Sequence, residues 1–221
     1  MISKPAVTGA VLTVLTLFGG LALGYFLGNT VFSAVAGSNQ FDNPAPMHIT
    51  FAAIPALASF LAGGAVWGVL MGRMAGATET RRMAWAGLLG FGPITLAVAF
   101  GLGAAEPPLV AAFGADTGIH RIFTLLFVPA AFLIAGVSAW ALGRGLRDNA
   151  LARALFWRIG LTAGLTFLVI NLIMESLGYV VGAPGAADRA TMLTVMASGN
   201  SGAALVGGGM MGKILADPPV Y

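Results

Sequence analysis

Six apolar stretches, each long enough to cross a bilayer as a helix, leave this 221-residue chain almost no residues for anything else. They run from about Ala6 to Leu27, Ile49 to Met71, Met83 to Gly103, Gly118 to Leu142, Ile159 to Val181 and Thr191 to Leu215. A spanning helix needs about 20 mostly apolar residues at about 1.5 Å rise each. The stretches therefore predict an all-α, polytopic membrane protein with six transmembrane helices and a single transmembrane domain over residues 1–221. The breaks between them, at Gly37–Pro46, Arg73–Arg82, Ala104–Thr117, Gly143–Arg158 and Gly182–Arg189, carry charge or turn residues.

Composition agrees: 58% of residues are hydrophobic and 9% charged, with a mean hydropathy of +0.90. A soluble domain carries roughly 25% charged residues. The run from Ala6 to Leu27 exceeds the h-region of a secretory signal, so it reads as an uncleaved first span. The net charge of +3 does not point to nucleic acid, because the eleven basic residues are scattered singly between apolar runs. The chain has no cysteine, which excludes disulfides, thiolate metal sites and cysteine nucleophiles.

The basic residues set an orientation. Lys4, Arg73, Arg81, Arg82, Arg144, Arg147, Arg153, Arg158 and Lys213 fall on one side of the six spans, and Arg121 and Arg189 on the other. Basic loops stay in the cytoplasm, so both termini are expected inside. Arg121 and Arg189 have Asp116 and Asp188 close by in sequence, which suits local pairing. With no organellar transit signal, the expected location is the cytoplasmic (inner) membrane of a bacterium.

An internal repeat is also expected. A shift of 72 residues pairs His48 with His120, Phe60 with Phe132, Gly64 with Gly136, Arg81 with Arg153, Trp85 with Trp157 and Gly92 with Gly164. Leu17 and Gly20 fall on Leu89 and Gly92, and Leu205 and Gly208 under Leu133 and Gly136, which extends the match to three two-helix hairpins. Hairpins of unchanged orientation would form a parallel pseudo-threefold bundle about the membrane normal. That plan resembles the mitochondrial carriers, whose acidic and basic gate motifs are missing here. Glycines four apart (Gly20, Gly24 and Gly28; Gly64, Gly68 and Gly72), and Ala204, Gly208 and Gly212 likewise, read as ridges for close helix packing. Pro55, Pro93 and Pro129 fall inside spans and are expected to kink them.

Few residues offer chemistry. Glu175 is an ionisable group within a span, and Asn171 lies one turn earlier on the same face. Asn200, with Ser198 and Ser201, is expected at similar depth on the last helix. Two readings fit: a polar pocket open to the outer face, with ligand-binding residues Glu175, Asn171, Asn200 and Ser201, or amides bonded across helices and Glu175 paired with Arg121 or Arg189. His48 and His120 open helices from the outer side, with Met192 in the third equivalent place. Two histidines suit haem and two with a methionine suit copper, but helix-start histidines facing water or headgroups explain them as well. The expected metal content is therefore none, and the cofactor is left unassigned.

Gly199-Asn200-Ser201-Gly202 resembles the GxSG of rhomboid proteases, also six-helix membrane proteins. That resemblance implies a nucleophilic Ser201 and a histidine on a later helix. No histidine follows Ser201, so the serine lacks its base and catalysis is not expected. No Walker A loop, HExxH or dinucleotide fingerprint is present. The function expected is a transporter-type or ligand-binding membrane protein for a small solute or cation. The alternatives are an accessory subunit of a larger membrane complex and a haem- or copper-binding redox subunit. The expected partners are the lipid bilayer, the solute, and other membrane subunits or further copies of the chain.

Overall fold

In the computed structural model the described residues are 3–36, 47–113, 117–179 and 189–218, with side chains described continuously over 3–20, 57–98, 126–179 and 197–218 and at scattered positions besides. They form six α-helices: α1 (Lys4–Ala36), α2 (Met47–Met74), α3 (Thr80–Phe113), α4 (Thr117–Gly145), α5 (Asn149–Ser176) and α6 (Arg189–Ala216). No strand occurs among the described residues. Among the residues with described side chains, three helices contain segments long and apolar enough to cross a membrane: Leu57–Met74 in α2, Leu126–Gly145 in α4 and the whole of α5.

Each expected span lies largely within one helix, but the helices overrun the apolar runs. α1 continues to Ala36, α3 passes through Pro107 and Pro108 to Phe113, and α5 starts ten residues before Ile159. Asp148 explains that early start. Its carboxylate caps α5 by accepting from the Leu151 N–H at 2.8 Å. At its far end α5 stops at Ser176, short of the expected Val181, because Gly178 takes φ +87° and its N–H bonds back to the Glu175 carbonyl. α2, α3 and α4 run through Pro55, Pro93 and Pro129 as single helices.

The helices form a closed ring, each packed against its sequence neighbours, with α1 completing the circuit against α6. Among the described residues, only the even-numbered helices α2, α4 and α6 also touch one another across the middle. Neighbours are antiparallel, since residues near the end of one helix meet residues near the start of the next: Gly72 with Met83, Gly143 with Ala152, Gly212 with Gly9. The start of α1 and the end of α6 therefore share one end of the bundle with the α2–α3 and α4–α5 turns. All nine basic residues assigned to one side by sequence lie there, accompanied by Glu79, Asp148 and Asp217. We call this the basic end. Arg121 and Arg189 belong to the opposite end; their side chains, and Asp116 and Asp188, lie outside the described residues.

At the basic end the two turns are tied together. Arg82 pairs with Glu79 and donates from Nε to the Gly145 carbonyl, and Arg147 Nη2 lies 3.6 Å from Glu79 Oε1. Gly76 closes α2 at φ +75°, and Arg147 holds the corresponding place after α4 at φ +62°. That conformation suits glycine and strains a side chain.

Three-glycine crossings set two of the interfaces. A Cβ on Gly87 would lie 2.8 Å from Gly68 Cα and against the Gly64 carbonyl; one on Gly9 would lie 2.8 Å from Gly212 Cα and against the Gly208 carbonyl. The α2–α3 and α6–α1 crossings are thus alike. Gly208 and Gly212 follow Gly64 and Gly68 by 144 positions, twice the shift read from the sequence, whereas Gly87 follows Gly9 by 78. Close backbone approach here maximises dispersion contacts where lipid supplies no hydrophobic drive.

Below these crossings, toward the basic end, the ring is filled. Met71, Met83, Leu142, Leu155, Ile214 and Leu215 are buried together as a plug. The outer surface is apolar as well, with Val7, Val11, Leu89, Leu161, Leu165 and Val169 among its exposed residues. Trp85, Trp140 and Trp157 are exposed near the basic end, and Arg144 stacks 5.9 Å above the Trp140 ring.

Candidate functional site: a central cavity

Above the plug the ring encloses a cavity of about 260 Å³ to which all six helices contribute. Its floor is Trp67, Ile159 and Met211, each continuous with the plug below. The void follows from side-chain size: α4 contributes Ala130, Ala131 and Ala135, and α6 contributes Ala203, Ala204 and Gly207. Small residues on these helices face rings from α2, α3 and α4, namely Phe60, Trp67, Phe91 and Phe127. Phe91 sits 6.0 Å from Phe60 and 6.5 Å from Trp67, both in tilted contact. Trp67 is fixed by its indole N–H, which donates to Thr13 Oγ1 at 3.1 Å.

The polar atoms of the wall are few. Thr16, Thr95 and Ser138 donate to carbonyls of their own helices (Leu12 at 2.7 Å, Phe91 at 2.7 Å and Ile134 at 2.6 Å). Such back-bonding satisfies a hydroxyl inside an apolar bundle. Asn200 differs, because its half-buried carboxamide makes no hydrogen bond to another described residue.

Of the residues singled out by sequence, Asn200 alone is in the described wall of this cavity. Ser201, one position on, donates to the Ala197 carbonyl at 2.5 Å in its own helix. Asn171 is buried; its Nδ2 donates to the Phe167 carbonyl at 2.8 Å, while Oδ1 has no partner. The expected amide bond between Asn171 and Asn200 is absent. The reason is register: Gly199 packs on the Phe167 ring, so Asn200 lies level with Phe167, one turn short of Asn171. Glu175 occupies the last turn of α5, partly exposed and engaged with a neighbour. Along α5 it stands about 27 Å from Trp157, whereas Phe167 stands about 15 Å away.

The side chains of His48, His120 and Met192 lie outside the described residues; their backbones fall in the first turns of α2, α4 and α6, at the end opposite the basic one. Among the described residues no three histidine or carboxylate side chains gather as a metal site. Sequence reading missed Trp67, Thr13 and the alanine wall. The available signal was the run of small residues on α6 around Asn200, which reads equally well as packing until the facing rings are known.

The sequence matches no family model, and no curated protein or solved structure matches the chain.

Proposed function

We propose that the chain is a six-span protein of a bacterial cytoplasmic membrane, with both termini inside, that binds or transports a small solute taken into the central cavity from the outer face. The observation that carries this reading is the cavity itself, closed toward the basic end by the Met71–Leu142–Leu155–Ile214 plug. A solute held there has its way to the basic end blocked by close-packed side chains, so the opposite end is its route in.

Several features support the membrane placement. Each helix has at least 28 residues, or about 42 Å of rise, against a hydrocarbon core of about 30 Å. α1, α3 and α6 complete the same closed ring as the three helices that contain long apolar segments. Trp85, Trp140 and Trp157 would mark the inner interface, with the arginines beyond them in the cytoplasm. By the same measure Glu175 reaches the outer interface and Asn200 lies near the midplane, which makes Asn200 the polar group most in need of a partner. The three-hairpin repeat belongs to this proposal. The paired glycine crossings favour it in the even helices, and the 78-residue spacing of Gly9 and Gly87 departs from it.

Native mass spectrometry of the gently solubilised protein tests the reading. The expected spectrum is a monomer or homo-oligomer that retains a small ligand, lost on substituting Ala131→Phe to fill the cavity. A preparation that holds a heterologous subunit and an empty cavity would favour the accessory-subunit alternative, and a haem or metal increment the redox one.

A further inference from the structure

The cavity wall contains no Asp, Glu, Lys, Arg or His among the described residues. A cation or carboxylate entering it would lose hydration with no opposite charge to meet it, a large penalty in an apolar surround. Glu175, the one carboxylate of the polar pocket expected from the sequence, is absent from the described wall.

The hydrogen-bonding capacity that remains is specific. The Thr16, Thr95 and Ser138 hydroxyls have each committed their proton to a carbonyl, so they can only accept. The Trp67 N–H is committed to Thr13. Asn200 alone offers two N–H donors and a carbonyl with no described partner, in the same cavity wall as Phe60, Trp67, Phe91 and Phe127. An apolar cavity of about 150 Å³ admits benzene. One of about 260 Å³ has room for a substituted ring or two fused rings.

We propose that the ligand of this cavity is an uncharged aromatic ring compound bearing one hydrogen-bonding oxygen or nitrogen, its ring packed among Phe91 and Trp67 and its polar atom met by Asn200. This rests on the ligand-binding reading above and narrows it from a small solute or cation to a neutral ring. The aromatic walls favour stacked and edge-on ring contacts. The amide favours one orientation, since it alone in the described wall offers both N–H donors and a carbonyl, whereas the Thr16, Thr95 and Ser138 hydroxyls can only accept and Thr13 keeps a single O–H.

Calorimetric titration of the protein in lipid nanodiscs, corrected against empty nanodiscs, tests it with phenol, indole, toluene, benzylammonium and benzoate. Phenol and indole are expected to saturate at one site, with the two charged probes binding at least about tenfold more weakly. Asn200→Leu should weaken phenol about five- to tenfold and leave toluene unchanged, as expected for one lost hydrogen bond of about 1 kcal/mol. Comparing phenol with 4-octylphenol separates a ring taken from water from one carried on a lipid tail, the latter binding more tightly than its partition into empty nanodiscs accounts for. Benzylammonium or benzoate binding as tightly as phenol would overturn the ligand class and leave the cavity as a site. Equal losses of phenol and toluene in Asn200→Leu would overturn the role of Asn200. If no probe binds above the empty nanodisc, both this inference and the ligand-binding reading fall.

Discussion

The plug at the basic end and the cavity just above it are built on the same six helices, yet one is filled and the other is not. On α6, Met211, Ile214 and Leu215 give way to Asn200, Ala203, Ala204 and Gly207; on α4, Leu142 gives way to Ala130, Ala131 and Ala135. Backbone spacing does not explain the difference, because the glycine crossings hold α2 to α3 and α6 to α1 beside both regions. Side-chain volume does. The plug uses long, adaptable Met and Leu side chains to occupy the ring's centre, and the cavity level uses Ala and Gly where a packed interior would place something larger.

The largest test of this contrast is truncation in the plug. Leu155→Ala removes a fully buried side chain and should lower unfolding stability by about 2–5 kcal/mol, read as thermal unfolding in nanodiscs. The opposite change above it, Ala131→Leu, enters existing space and should shift stability by less than about 1 kcal/mol. If the two substitutions had equal effects, the cavity would not be a void.

The crossings come next. Gly87→Ala sets a methyl against backbone atoms of α2, which cannot rotate away, and should destabilise by about 1–3 kcal/mol in the same assay. Gly19→Ala, with nothing within 4 Å of the added carbon, should be neutral or stabilising by up to about 1 kcal/mol. In the ligand-free protein Asn200→Leu should raise stability by about 1 kcal/mol, since it removes an amide with no described partner. A stability loss there would mean that Asn200 is a structural bond and not a free wall group.

The smallest expected effect lies in the turns. Arg147→Gly relieves a side chain held at φ +62° and should gain about 0.5–1 kcal/mol. The ion pair lost with it is exposed and contributes little. Chemical unfolding of the two proteins side by side would show the gain as a higher midpoint.

The six helices were legible because apolar length is a strong signal, and their ends were less so because apolar length reports lipid exposure, not hydrogen bonding. Asp148 starts α5 ahead of its apolar run, and Gly178 ends it before that run is finished. The second of these changes where Glu175 stands: within a stretch ending at Val181 it lies more than a turn from the end, and in the helix that ends at Ser176 it belongs to the last turn. Antiparallel packing brings the nine basic residues to one end of the bundle, as alternation of six helices along the chain requires. Asn200 was visible as a polar residue in an apolar run. Its partner set was not, because the register that puts Gly199 on Phe167 depends on which small residues meet across α5 and α6. Trp67 looked like the other three tryptophans in sequence; only packing separates the one inside the ring from the three outside.

That separation supplies the most direct test of the account, in which the protein is a lipid-facing ring around an internal site. Four variants, each retaining one of Trp67, Trp85, Trp140 and Trp157, would be reconstituted in bilayers of acyl-chain-brominated lipid and their fluorescence quenching compared. Strong quenching of Trp85, Trp140 and Trp157 with Trp67 protected is the predicted result. Trp67 quenched as strongly as the others would place it against lipid and contradict both the cavity and the ring that encloses it.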